Sequence, residues 1–363
     1  MKLVLSGNEP RQEYLFAQLR ETTEVVAEVP FDDIDPVTKY VAAALSYASP
    51  REEWWGNYHM HPLIQRRRRK VLSRGMRVLP TRPDALLMWG SWFNPYARPN
   101  PGNTRFFNYI DQSRSLKPLP EERPAQFSRR RRSYELQVET YRDSSGILCM
   151  SEWARNQTLE AHPAVDTKKV LAVGWGPCGV DLSGEDIPEE KREPVVLHVS
   201  NDFYRKGVDF ILETAPKVRR AIPDARFLVI GKDSSGMQLT AVEGVEVTGP
   251  IRDKKVLSDW FRRASVFFLP HRFDRSPHVL AEAMSAGLPI VTSSQGGPIE
   301  VTQGTGVGFL HPIGDTDGYA ESLIHILRDR QQRAVMGAKA RALMLSRYNW
   351  KSVANRIVSV MAT

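Results

Sequence analysis

The stretch from Arg272 to Glu300, RFDRSPHVLAEAMSAGLPIVTSSQGGPIE, sets one acid, Asp274, eight positions before another, Glu282, and closes on a double glycine. The preceding VFFLPH reads as a buried strand and RFDRS as the loop after it. PHVLAEAMSAG reads as a helix with proline in its first turn and glycine at its end. Amides at the start of such a helix, around His278, Val279 and Leu280, lack partners within the helix and make an anion site. Glu282 falls about one turn in, where its carboxylate can accept from hydroxyls, and Asp274 can accept from another part of the same ligand. Paired acceptors beside a phosphate cradle suit a nucleotide sugar, with ribose on one acid and sugar hydroxyls on the other. The competing reading makes both acids capping or surface residues, and spacing alone does not separate the two.

The elements that must position these residues follow from the rest of the chain. A length of 363 residues with 41% hydrophobic content predicts about two globular domains. Short apolar runs alternate with helix-like segments, the pattern of parallel α/β architecture. KLVL, ALLMW, RFFNYI, GILCM and KVLAV read as strands in the first half. VVLHV, RFLVI, VEVTG, VFFLP, PIVTS and GVGFL do so in the second, with closing helices near 316–328, 331–345 and 350–361. Between the halves, residues 174–194 are rich in glycine, proline and charge without periodicity and read as an interdomain connection. Two such domains in tandem are expected to bind a ligand at the carboxyl ends of their strands, in a cleft between them.

Cysteines number only two, Cys149 and Cys178, which gives neither a disulfide framework nor a four-ligand zinc set. The opening MKLVLSGNEP reads as a first strand rather than a signal peptide, and no stretch reaches the roughly 18 apolar residues of a membrane span, so the cytoplasm is the expected location. Net charge is +8 and unevenly placed: residues 60–132 hold 17 Lys and Arg against 4 Asp and Glu. The densest runs are Arg66, Arg67, Arg68 and Arg69, and Arg129, Arg130, Arg131 and Arg132. Such a surface attracts anions, although each run alone also reads as the solvated face of a long helix.

Two other motifs carry less. GWGPCG places Gly174, Gly176 and Gly179 in dinucleotide-fingerprint spacing, but VDLSGEDIP follows where an amphipathic helix is required. GDTDG offers Asp315 and Asp317 as a metal pair, yet it opens a helix, where aspartate more often caps backbone amides.

In order and in one register, the motifs SNDFYRKGVDFILETAPKV, FLVIGKD, VEVTGPIRDKKVLSDWFRRASVFFLPH, AEAMSAGLPIVTSSQGGPIEV, GVGFLHPIGDTDGYAESLIHILRD and SRYNW run from about 195 to 351. They resemble the retaining GT-B glycosyltransferases of glycosyltransferase family 4. GILCMSEWARNQTL and GPCGVDL extend the resemblance slightly, whereas residues 1–145 share only general layout.

The resemblance implies two Rossmann-like α/β domains with a deep interdomain cleft. It assigns 1–178 to acceptor binding, 179–194 to a linker, 195–345 to nucleotide-sugar binding and 346–363 to a helix crossing back. It gives Lys206 the role of neutralising the leaving diphosphate and Glu282 that of binding ribose. Gly249 and Ile251 then lie in the loop that meets the base, and Gly296 and Gly297 on the cleft wall. Asp274 stands where the family has a glutamate, Asn201 where it has an arginine, and Ile110 where it often has a histidine. Arg205 or Arg252 is then the replacement for the missing arginine, and Asp111, His59 or His61 for the missing histidine; Gly7 and Asp111 are the N-terminal contributors expected.

The implied reaction is sugar transfer from a nucleotide-diphosphate donor to an acceptor hydroxyl with retention, requiring no metal or other cofactor. Lys206 and helix-start amides would stabilise the departing diphosphate, and domain closure would exclude water and orient the acceptor. Six tryptophans, Trp54, Trp55, Trp89, Trp92, Trp153 and Trp175, precede residue 182 and could stack on sugars or bases, though core packing is the commoner use. With the basic segment they favour a lipid-linked or polysaccharide acceptor, met peripherally at the inner face of an anionic membrane. A nucleic-acid acceptor fits the same features. A non-catalytic binding protein of this fold is the third reading, given the departures at Asp274, Asn201 and Ile110.

Overall fold

The computed structural model describes residues 1–7, 9–46, 58, 61–90, 104–117 and 124–363. It divides into two compact units, one of Met1–Val173 with Ala354–Thr363 and the other of Gly174–Val353.

In the first unit, β1 (Lys2–Ser6), β2 (Glu24–Glu28), β3 (Ala85–Trp89), β4 (Arg105–Ile110), β5 (Gly146–Cys149) and β6 (Val170–Ala172) form a parallel sheet in the order β2-β1-β3-β4-β5-β6. Sequence reading misses β2, because EVVAE is a short edge strand with glutamate at both exposed ends and only its centre half-buried. The connecting helices are α1 (Gln12–Thr22), α2 (Pro36–Ser46), α3 (Pro62–Arg77), α4 (Pro124–Asp143) and α5 (Glu152–Ala161). The inner strands β3 (ALLMW) and β5 (GILC) are apolar throughout because helices cover both faces of a parallel sheet. Val4, Leu86, Met88 and Phe106 pack with Leu72 of α3, while Ile110, Ile147 and Cys149 pack with Tyr141 of α4 and Ala154 of α5.

In the second unit, β7 (Val195–Ser200), β8 (Arg226–Gly231), β9 (Val245–Gly249), β10 (Val266–Leu269), β11 (Ile290–Ser293) and β12 (Gly308–His311) lie in the order β12-β11-β10-β7-β8-β9, all parallel. Helices α6 (Phe203–Lys206), α7 (Val208–Ala221), α8 (Lys254–Arg263), α9 (His278–Ser285), α10 (Pro298–Thr302), α11 (Thr316–Arg328), α12 (Arg330–Arg347) and α13 (Trp350–Ala362) complete the chain. Val208, Ile211, Ala215 and Val218 of α7 and Tyr319, Leu323 and Ile326 of α11 bury one face of this sheet.

Strand order decides where a site can form. Chain direction across the second sheet reverses between β7 and β10, the switch point at which ligands approach a parallel sheet from the carboxyl ends of its strands. Among the described residues no helix is long and apolar enough to cross a membrane.

Candidate active site at the carboxyl ends of β7 and β10

The loops leaving the two switch-point strands carry Lys206 and Asp274, and the structure joins them in a buried ion pair. After β7, Asp202 caps a single helical turn by accepting from the amide of Arg205 at 3.2 Å. Gly207 then ends the turn in the left-handed region, with φ +76°. A Cβ on Gly207 would sit 1.9 Å from the carbonyl oxygen of Pro270, so only glycine lets this turn lie against the end of β10. The amide of Arg272 donates to the carbonyl of Arg205 at 2.8 Å, and the Arg272 guanidinium binds Asp209 and covers the Tyr204 ring, closing the loop over α6 and α7.

Burial alone would push the Asp274 carboxyl up, but the Lys206 ammonium overrides it, helped by His271 and Arg205, and the group lies below its usual range. Its Oδ1 accepts from the amide of Arg275 at 2.8 Å. The shorter aspartate is therefore held by the lysine and by its own loop. Lysine has three donors, so this pair leaves ammonium capacity for an anion.

Gly296 and Gly297 press on the same loop. The amide of Gly297 donates to the Asp274 carbonyl at 3.0 Å, and a Cβ on Gly296 or Gly297 would lie 1.8 Å from the carbonyl oxygen of Asp274 or Arg275 respectively. Their smallness fixes Asp274 as well as making a turn.

Glu282 sits in α9, buried, and its Oε1 accepts from the amide of Cys178 at 3.2 Å. Burial pushes its carboxyl up to about 7, against the opposing pull of the amides of Cys178, Gly179 and Val180. Those residues belong to the segment read from sequence as an interdomain connection. The structure packs its 174–182 part on α9: Trp175 donates to the Pro277 carbonyl at 3.3 Å, His278 Nδ1 meets the Gly176 carbonyl at 2.7 Å, and the amide of Leu182 donates to Ser285 at 3.0 Å. Trp350 adds a bond to the Pro177 carbonyl at 2.6 Å. Tryptophan and glycine in GWGPCG were the available signal for this packing, and no helix follows the motif.

The helix start differs from expectation in two respects. Pro277 is the cap rather than part of the first turn, and the Leu280 amide is not open, because it donates to the Pro277 carbonyl at 2.9 Å. His278 and Val279 head the helix.

Arg205 remains near the site, bound to Asp202 at 2.8 Å and to the Phe273 carbonyl at 3.1 Å, whereas Arg252 is exposed. Asn201 is exposed, with its carbonyl accepting from Ser234 at 2.6 Å. Gly249 ends the edge strand β9 and Ile251 lies just beyond it, with Gly249 at φ +70° and open space where a Cβ would be. Sequence reading missed His271 and Ser276. Both are buried with side-chain nitrogens or oxygen lacking a hydrogen-bond partner, and burial pulls His271 down to about 4. Buried polar atoms of this kind call for a water or a ligand atom.

Asp315 caps α11 by accepting from the amide of Gly318 at 3.0 Å, and Asp317 pairs with Lys217 at 2.5 Å. In the first unit Gly7 follows β1 under the Gln12 side chain, Asp111 follows β4, and Ile110 is core. His61 caps α3 by accepting from the amide of Leu63 at 3.3 Å. Trp89 and Trp175 are buried packing residues and Trp153 packs against the α4–α5 core; Trp54, Trp55, Trp92 and His59 lie outside the described residues.

The arginine runs divide. Arg68 is a correction: it is 1% exposed, bound at 2.6 Å to Asp32, and cannot belong to a binding surface. Arg67 reaches Asp35 and Thr38, Arg69 is half-buried, and Arg66 is exposed. Arg131 pairs with Glu135 at 3.0 Å, Arg130 bonds the Ser115 carbonyl, Arg132 is exposed, and the Arg129 side chain lies outside the described residues.

Known structures define the class. The architecture is that of the GT-B glycosyltransferases: sucrose-phosphate synthase of Thermosynechococcus elongatus superposes with TM-score 0.71 at 16% identity, over 100% of this chain and 98% of that one. WaaG, a glycosyltransferase involved in lipopolysaccharide biosynthesis, does so at 0.66 and 14%, over 99% of each chain.

At the level of sequence, residues 193–329 match the family described as Glycosyl transferases group 1. The phosphatidyl-myo-inositol mannosyltransferase of Mycolicibacterium smegmatis is 31% identical over 231 residues, covering 60% of this chain and 57% of its own length. Sulfoquinovosyl transferase SQD2 of Arabidopsis thaliana is 31% identical over 175 residues, 46% of this chain and 33% of its own length. The chain thus spans less than two thirds of the length of these relatives.

Proposed function

We propose that the protein transfers a sugar from a nucleotide-diphosphate donor to an acceptor hydroxyl, with retention and without a required metal, on a lipid-linked or glycoconjugate acceptor. The observation that carries this reading is the buried Lys206–Asp274 pair at the switch point of a group 1 glycosyl transferase domain, beside α9 and Glu282. Breaking the anomeric bond leaves its electron pair on the diphosphate. Lys206, fixed before reaction by Asp274, stabilises that charge, with Arg205 adding to the local field. Asp274, the carboxylate of the pair, is the acceptor for sugar hydroxyls, and Glu282 takes the ribose by exchanging an amide of the 178–180 segment for a hydroxyl. The acceptor hydroxyl attacks the anomeric carbon on the face the diphosphate leaves, and its proton passes to the departing phosphate oxygen. The phosphatidyl-myo-inositol mannosyltransferase among the relatives supports a lipid acceptor.

The test is turnover of UDP-, GDP- and ADP-sugars with lipid-linked, glycan and nucleic-acid acceptors, the anomeric configuration of the product being read by proton NMR. Transfer to a lipid or glycan with retention is expected. Donor binding without turnover on any acceptor contradicts catalysis, inversion contradicts the mechanism, and salt-sensitive transfer to DNA or RNA replaces the acceptor class.

A further inference from the structure

Helix α2 carries Val37, Tyr40, Val41 and Leu45 at positions i, i+3, i+4 and i+8, one helical face, and all four are exposed, Tyr40 by 77% and Val37 by 72%. The opposite face is already used: Ala42 is fully buried with Ile64 of α3, and Thr38 accepts from Arg67 of α3 at 3.2 Å. The outer stripe is therefore surplus to folding. Singly exposed apolar residues need no explanation, but four on one face of an eleven-residue helix form a patch of the kind that marks an interaction site.

Helix α3, packed beside it, presents the complementary feature. Arg66, Lys70, Arg74 and Arg77 fall at i, i+4, i+8 and i+11, a single stripe about 16 Å long at 1.5 Å per residue. All four are exposed, and among the described residues none makes an ion pair. Neither helix contains Asp or Glu. Of the acids ahead of α2, Asp32 is held by Arg68 and Asp35 by Arg67 and Thr38, leaving only Asp33. Buried Arg68 and half-buried Arg67 thus take up Asp32 and Asp35, and the outer stripe faces neither acid.

We propose that the outer faces of α2 and α3 form a docking surface for an anionic phospholipid membrane, with Val37, Tyr40, Val41 and Leu45 entering the headgroup boundary and Arg66, Lys70, Arg74 and Arg77 meeting lipid phosphates. An apolar stripe with basic flanks is what an interfacial helix requires, and the charge selects an anionic surface over an apolar protein partner. The proposal deepens the lipid-acceptor reading and rests on it for the choice of partner. It can be tested without donor or acceptor, so its failure leaves sugar transfer standing, and failure of sugar transfer leaves it standing.

The experiment is sedimentation with vesicles of phosphatidylcholine alone or mixed with phosphatidylglycerol, on the full chain. Binding is expected only to the mixed vesicles and should weaken with salt. Replacing Arg66, Lys70, Arg74 and Arg77 together by serine should lower the partition coefficient at least about a hundredfold, from roughly 1 kcal/mol per charge near such a surface. Val37→Ser/Tyr40→Ser/Leu45→Ser should lower it at least about tenfold. Leu345→Ser, an exposed leucine of the second unit, should leave it unchanged. Circular dichroism confirms that each variant folds, which these exposed positions permit. No binding to the mixed vesicles, or binding indifferent to both multiple variants, overturns the proposal. So does a light-scattering mass showing that the α2 variant dissolves a dimer while vesicle binding persists.

Discussion

In the second unit the strands flanking the switch point, β7 and β10, run into Lys206 and Asp274, which meet in a buried ion pair. In the first unit the equivalent strands, β1 and β3, run into Gly7 and Gly90, beyond which the chain leaves the described residues. The two sheets share a plan, but charge is placed differently on it. In one it is drawn inward and paired at the strand ends; in the other the unpaired cations lie outward on α3. A parallel sheet fixes where a site can form, and side-chain chemistry decides whether it is built for a small ligand or for a surface.

The sharpest way to break this contrast is Lys206→Ala. It leaves Asp274 buried without its partner and should cost about 3–5 kcal/mol in urea unfolding, most of which Asp274→Asn should restore in the double variant. Arg66→Ala, on the outward stripe, should change stability by less than about 0.5 kcal/mol. Equal losses at the two positions would erase the distinction.

Next in size is Gly297→Ala, whose new methyl must displace the Arg275 carbonyl and with it the Asp274 loop. A loss of about 1–3 kcal/mol is expected, together with weakened nucleotide binding. Gly184→Ala, with nothing within 4 Å of its Cβ, serves as the control and should alter neither.

Glu282 sharpens the contrast through pH. A carboxyl pushed up to about 7 in the folded chain contributes stability that is full below its unfolded range and lost as pH rises through about 7. The thermal midpoint of the wild type should therefore fall between about pH 5 and pH 8, and Glu282→Gln should flatten that slope. A midpoint rising over this window would mean that the amides of 178–180 outweigh burial.

Sequence exposed the second unit almost entirely, because its strands are apolar runs bounded by turn residues and its motifs fall in register. The spacing of the acids at 274 and 282 singles them out but leaves capping or surface roles open, and only the structure shows both to be buried. Their partners were not legible: nothing local says that Asp274 closes on Lys206, 68 residues away, or that Glu282 receives amides from 178–180. Those contacts exist only once parallel strands bring remote loops to one edge. In the first unit, β2 escaped notice because an edge strand needs little apolar surface, and Arg68 misled because a run of arginines does not reveal which member faces inward. The α2 stripe was hidden for the opposite reason, since its spacing is that of any core-facing helix until burial shows that the other face does the packing.

The most direct test of the central claim is calorimetric titration of UDP, GDP, ADP, CDP and TDP into the wild type and into the folded Lys206→Ala/Asp274→Asn variant. Micromolar binding of one nucleoside diphosphate that is lost in the variant is the predicted result. No binding of any of them by the folded wild type, or equal binding by both proteins, would contradict a diphosphate site at the ends of β7 and β10.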